Sequence, residues 1–157
     1  MTDKPVVIIG YGNTLRRDDG VGWAAAHRLY DRLDLNSANI LAVQQLLPEL
    51  AEPISRAKLA IFVDADATLQ PGEIRRRNVE PDAARHGVMA HDQTPQGLLG
   101  VASDLYGQRP KAVLYSIGGK DFSFGCRLSP RVKVALARVV AEIVHMVHEL
   151  SMEDAHA

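Results

Sequence analysis

The chain has 157 residues, of which 46% are apolar and 24% charged, with a formal net charge of -1 and a single cysteine. One domain is expected at that length, able to bury roughly 70% of its unfolded surface without staples. The near-neutral charge lacks the basic footprint of a nucleic-acid binder, and Cys126 alone excludes an internal disulfide.

Met1 to Pro5 lacks the apolar core of a secretory signal, and no run approaches the ~20 apolar residues of a membrane span, so a cytoplasmic protein is expected. Val6-Val7-Ile8-Ile9 is an unbroken apolar run, the pattern of a strand covered on both faces. It runs into a glycine turn, Gly10-Tyr11-Gly12, and then a pair of acids, Asp18-Asp19. From Val21 to Leu33 the residues Val21, Ala25, Leu29 and Leu33 recur at helical spacing, with Asp18 or Asp19 placed to cap the helix. Ile40 to Val43 reads as a second strand. Pro48 to Arg56 is at most a short helix, limited by Pro53. Leu59 to Val63 is a third strand that ends at Asp64. After the Pro71-Gly72 turn, Glu73 to Val79 is a weaker strand. Its Arg75-Arg76-Arg77 run suits a solvated edge and discourages edge-to-edge pairing. Thr94-Pro95 supplies the cap and first position of a helix through Tyr106. Ala112 to Ile117 is the last strand. Ser129-Pro130 opens the longest helix, with Val132, Leu136, Val139, Ile143, Val147 and Leu150 on its buried face, and the polar tail 151–157 is expected to fray.

This alternation predicts a single α/β domain over residues 1–157, with a mostly parallel twisted sheet of five strands and helices on both faces. In such sheets ligands bind outside the carboxyl ends of the strands. Asp19 follows the first strand, Asp64 tips the third, and His91 lies in the loop before the Thr94 helix. Two carboxylates about 5 Å apart repel by roughly 3 kcal/mol at an effective dielectric near 20. Without a cation one of them would tend to hold a proton. Two carboxylates and an imidazole suit a divalent transition ion, so these three residues are read as a metal-binding cluster. Plainer readings exist for each: Asp18 and Asp19 as helix caps, Asp64 as a solvated strand end with Asp66 as its rival, and His91 as a structural histidine with His86 competing for its place.

Other chemistries fit poorly. A dinucleotide fingerprint needs glycine where Leu15 stands and an acid where Gln44-Gln45 stand. A phosphate cradle presents N–H groups, whereas this loop delivers carboxylates. There is no His-Glu-x-x-His pair, and Ser116 lacks a nucleophile-elbow context. Cys126 has no partner motif and reads as inert. Trp23 reads as packing, and His27, His145 and His148 as helix-surface positions.

The segment Gly10-Tyr11-Gly12-Asn13-Thr14-Leu15-Arg16-Arg17-Asp18-Asp19-Gly20-Val21-Gly22 resembles the N-terminal signature of the hydrogenase maturation proteases. These endopeptidases trim the C-terminus of the large subunit of nickel–iron hydrogenases. Phe62-Val63-Asp64-Ala65 and Ala90-His91 fall where that family has its second and third functional residues, and Leu128-Ser129-Pro130 is similar too. The resemblance covers nearly the whole chain. It implies an α/β/α sandwich and nickel-dependent cleavage of a large-subunit precursor, with Asp19, Asp64 and His91 matching the metal-contacting trio and carrying catalysis. Nickel is implied to arrive lodged in the substrate, not as a tightly resident ion. It would polarise the scissile carbonyl or acidify a water; alternatively Asp64 or Asp66 acts as base on a water.

Candidate substrate contacts are Gly12, Asn13, Asp18, Asp66, Ser116, Gly118 and Gly119, the last three within a loop expected over Tyr115 to Phe122. The chain departs from the family in having Asp19 where Glu is frequent, polar residues Asp92-Gln93-Thr94-Pro95 after His91, and the extra carboxylate of Asp66. The expected partner is the hydrogenase precursor, with no nucleic acid or membrane, and the protein is expected as a monomer or weak dimer. Two alternatives stand beside the protease: a non-proteolytic nickel-handling assembly chaperone, and a small-molecule phosphorylase or hydrolase, for which only scattered Arg16, Arg17 and Arg127 are available.

Overall fold

The computed structural model describes residues 4–82 and 93–156. Strand β1 (Val6–Tyr11) leads through a 3-10 turn (Arg17–Gly20) into helix α1 (Val21–Arg32). Strand β2 (Ala38–Val43) is followed by a second 3-10 turn (Pro48–Leu50) and helix α2 (Ala51–Ser55). Then come β3 (Leu59–Asp66), β4 (Ile74–Asn78), α3 (Pro95–Tyr106), β5 (Lys111–Gly118) and α4 (Pro130–Ala155). The five strands form one sheet in the order β2-β1-β3-β5-β4. All neighbours run parallel except β4 against β5. The sequence expectation of a mostly parallel sheet with covered faces is thus met.

The apolar runs of β1 and β3 are buried on both sides, as their lack of alternation required. One face of the sheet packs on α1 and α4, through Ile8, Ile61, Val63 and Tyr115 against Leu29, Leu136 and Ile143. The other packs on α2 and α3, through Ile9, Phe62 and Leu114 against Ile54, Leu98 and Leu99. Helix α1 sits unusually close to the sheet because two glycines face each other. A Cβ on Gly10 would run into the Gly22 carbonyl, and one on Gly22 would run into the Val63 and Tyr11 backbone.

Several boundaries differ from the sequence expectation. Strand β2 starts at Ala38, where buried Ala38 pairs with Val6 and carries the polar Asn39 along with it. Strand β3 runs past Asp64 to Asp66, and β5 runs to Gly118, because the two pair along their whole length. Residues Tyr115 to Gly118 are therefore strand, not loop. The tail expected to fray past Leu150 is helical to Ala155, and Asp154 there meets Lys58 Nζ at 3.3 Å. Among the described residues, no helix is long and apolar enough to cross a membrane.

Candidate active site

The site lies where the strand order reverses. From β1 the chain proceeds to β2 on one side, while β3 lies on the other, and the loops leaving β1 and β3 part there. Pairing of β1 with β3 ends at Gly10 opposite Val63, whereas β3 continues beside β5. Asp64 is the first β3 residue beyond that last pair. The sheet opens here into a cleft of about 240 Å3, lined by Tyr11, Gly12, Asp19, Gln45, Asp64 and Gln93 among others.

Asp19 reaches the cleft from the 3-10 turn. Its Oδ2 accepts the Asn13 N–H at 2.8 Å, which pins the turn after β1. Gly12 lies so close beneath it, at φ +146°, that a Cβ would run into the Asp19 carbonyl. Neither Asp18 nor Asp19 caps α1: the cap position is Gly20, with no side-chain bond. Asp19 is spent on shaping the turn and lining the cleft.

Asp64 is held differently. Tyr11 donates its hydroxyl to Asp64 Oδ2 at 2.9 Å, while Asp64 Oδ1 is buried with no hydrogen-bond partner among the described residues. Burial pushes the Asp64 carboxyl up to about 6, against the pull of the Tyr11 hydrogen bond toward the charged form. Nearby Asp66 adds to the rise and Arg77 opposes it. The Tyr11 phenol is in turn raised far above its ordinary value, first by burial and then by the Asp64 charge it touches. Tyr11 was not singled out from sequence. The available signal was its register, since Gly10 opposite Val63 carries Tyr11 beside Asp64.

Asp18, a candidate substrate contact, is engaged within the fold as a structural tie. It is fully buried, and its carboxylate accepts the backbone N–H groups of Lys120 (2.8 Å), Asp121 (2.9 Å) and Ser129 (2.7 Å) and the Ser129 hydroxyl (2.7 Å). Burial alone would push this carboxyl up, but the bonds from Ser129, Asp121 and Lys120 outweigh it and hold it below its ordinary value. The tie joins the loop after β1 to the loop between β5 and α4.

Three other expected contacts are also enclosed. Ser116 is buried beside Asp64 in the β3–β5 register. Gly118 is buried against the Gln70 backbone, and Gly119 against Phe122 and the Asp18 side chain. Asp66 is half-buried, and its Oδ1 accepts both the backbone N–H (2.8 Å) and the hydroxyl (2.6 Å) of Thr68, which hold its carboxyl low. Gly12 lines the cleft, and Asn13 flanks it through its bond to Asp19. His91, His86 and Asp92 lie outside the described residues. Among those described, no group of three His, Cys, Asp or Glu side chains is close enough to hold a metal. Asp19 and Asp64 are carboxylates that line this cleft, and Asp64 Oδ1 has no partner among the described residues.

This fold is that of the nickel–iron hydrogenase maturation proteases. The protease HycI of Thermococcus kodakarensis superposes with a TM-score of 0.72 at 21% identity, covering 92% of this chain and 93% of that one. The maturating endopeptidase HybD of Escherichia coli superposes with a TM-score of 0.66 at 17% identity over 92% of each. In sequence, the chain is similar to a protein of Methanocaldococcus jannaschii that bears the provisional name hydrogenase maturation protease, with 28% identity over 96% of both chains. No family model matches. The resemblance first seen in the segment from Gly10 to Gly22 thus extends along nearly the whole chain.

Proposed function

We propose that the protein is an endopeptidase that removes the C-terminal extension of a nickel–iron hydrogenase large-subunit precursor once nickel has been inserted. The observation that carries the reading is the convergence of Asp19, from the turn after β1, and Asp64, within the neighbouring β3, on one cleft at the sheet's switch point. The likeness to maturation proteases along the chain supports it. In this reading nickel is part of the substrate. Asp19, Asp64 and His91 meet it there, and the scissile bond is presented next to it. The raised carboxyl of Asp64 suits a group that exchanges a proton with water or the leaving amine near neutral pH. Tyr11 positions that carboxyl by holding one oxygen. In this reading the reaction takes place in the cytoplasm.

The test is to incubate nickel-loaded and nickel-free precursor with the protein and follow the mass of the large subunit. Only the loaded form should lose its extension. Equal trimming of both would refute metal gating. Capture of the loaded precursor without any loss of mass would favour an assembly chaperone instead.

A further inference from the structure

The two edges of the sheet are guarded differently. Strand β4 carries Arg75, Arg76 and Arg77, all exposed. Strand β2, with the sequence Ala-Asn-Ile-Leu-Ala-Val, carries neither charge nor proline, and it is only half-buried from Asn39 to Val43. An apolar edge with unpaired backbone groups is a template for a further strand. Three clefts run along this edge and share walls. The first, about 260 Å3, is lined by His27, Tyr30 and Ile40 and meets the second at Ala42. The second, about 590 Å3, is lined by Trp23, Val43 and Leu47, and it shares Gln44 and Gln45 with the Asp19–Asp64 cleft. Tyr30 is 56% exposed, so its ring lies open along the first cleft.

We propose that the precursor's peptide next to the scissile bond binds along this track, as an added strand on β2 with apolar side chains in the Tyr30 and Trp23 clefts. The proposal rests on the protease reading above. Backbone pairing supplies affinity in such additions, and the flanking pockets supply selectivity. Ile40 to Val43 spans ~10 Å at about 3.3 Å per residue, so roughly four substrate residues lie against β2 before the chain reaches the carboxylates. The shared wall at Gln44 and Gln45 points to substrate rather than a second copy of the chain. A copy covering this edge would also obstruct the mouth of the cleft.

Two variants and one probe test this. Ala42→Arg puts a charge on the edge itself, and Tyr30→Glu changes an exposed side chain that the fold does not need. Either should raise KM for the nickel-loaded precursor about tenfold or more, with kcat changed less than about twofold and an unaltered thermal melt. Trp23 is the chain's one tryptophan. Protein carrying 5-fluorotryptophan therefore gives a single fluorine resonance, which should shift on adding the loaded precursor even to an inactive Asp64→Asn form. Normal trimming by both variants with a stationary resonance would overturn the track and leave the protease reading intact. No trimming by the unaltered protein would overturn that reading and the track with it. A concentration-dependent dimer, abolished by Ala42→Arg while KM stays unchanged, would assign the edge to self-association and overturn the proposal.

Discussion

Asp18 and Asp64 are both aspartates in sheet-end positions, yet folding moves their carboxyls in opposite directions. Asp18 is held below the ordinary value by its bonds to Ser129, Asp121 and Lys120. Its stabilising contribution is therefore complete above the unfolded value near 3.9 and is lost as pH falls through the folded one. Asp18→Asn replaces an acceptor facing four donors with a group that is half donor. The expected cost is about 2–4 kcal/mol at pH 7, and it shrinks as pH falls below the unfolded value, as read from urea melts at pH 7 and about pH 3. Asp64 has its carboxyl pushed up from 3.8 to about 6. It favours the folded state only when neutral, so its contribution is full below the unfolded value and lost as pH rises through 6. Asp64→Asn, measured in chelator, should stabilise the fold at pH 7 by about 1–3 kcal/mol and leave it unchanged at pH 3.5. The same variant should trim loaded precursor about a hundredfold more slowly or worse. A variant that is neither more stable nor less active would show that Asp64 is an ordinary strand-end carboxylate.

Among the elements, the contact of α1 with β1 and β3 decides where Asp19 stands. Gly10 and Gly22 set that contact, because neither can carry a Cβ without meeting backbone. Gly22→Ala should push α1 off the sheet at a cost of about 3 kcal/mol, lowering the melting temperature by about 10 °C. Gly107→Ala is the control: Gly107 ends α3 at φ +69° with open space around it, so only about 1 kcal/mol of backbone strain is expected. Equal melts for the two variants would mean that the close approach at Gly22 can relax. These elements were largely legible in the sequence, since unbroken apolar runs mark β1 and β3 and helical spacing marks α1 and α4. The end of β5 was not, because Ser116-Ile117-Gly118 has turn-like residues and becomes strand only through its pairing with Asp64, Ala65 and Asp66. Asp19 and Asp64 were legible as acids that follow unbroken apolar runs, Asp19 in the turn after β1 and Asp64 beyond the apolar part of β3. The roles of Tyr11 and Asp18 were not, because their partners lie 53 to 111 residues away in sequence. Residues 83–92, with His91, lie outside the described structure.

Across the whole molecule, the sheet has one edge closed by charge and one left open beside the cleft. The guanidinium of Arg76 lies 5.9 Å from the Tyr115 ring centre on the α4 side, and strand alternation carries Arg75 and Arg77 to the opposite face. Every approach to the outer side of β4 therefore meets positive charge, and a second copy brings three more arginines against it. All three side chains are exposed, so this charge is placed to disfavour the pairing of a second strand with β4. Replacing the three arginines with threonine preserves strand propensity and removes six charges from any β4–β4 contact. The triple variant should fold with an unchanged circular dichroism spectrum. In sedimentation velocity it should associate as concentration rises, while the unaltered protein does not change through this edge, and added salt should drive the unaltered protein toward the variant's behaviour. Identical sedimentation of the two proteins at low and high salt would show that the arginines do not guard the edge. The contrast with β2 would then lose its force as a sign of which edge is kept open for a partner.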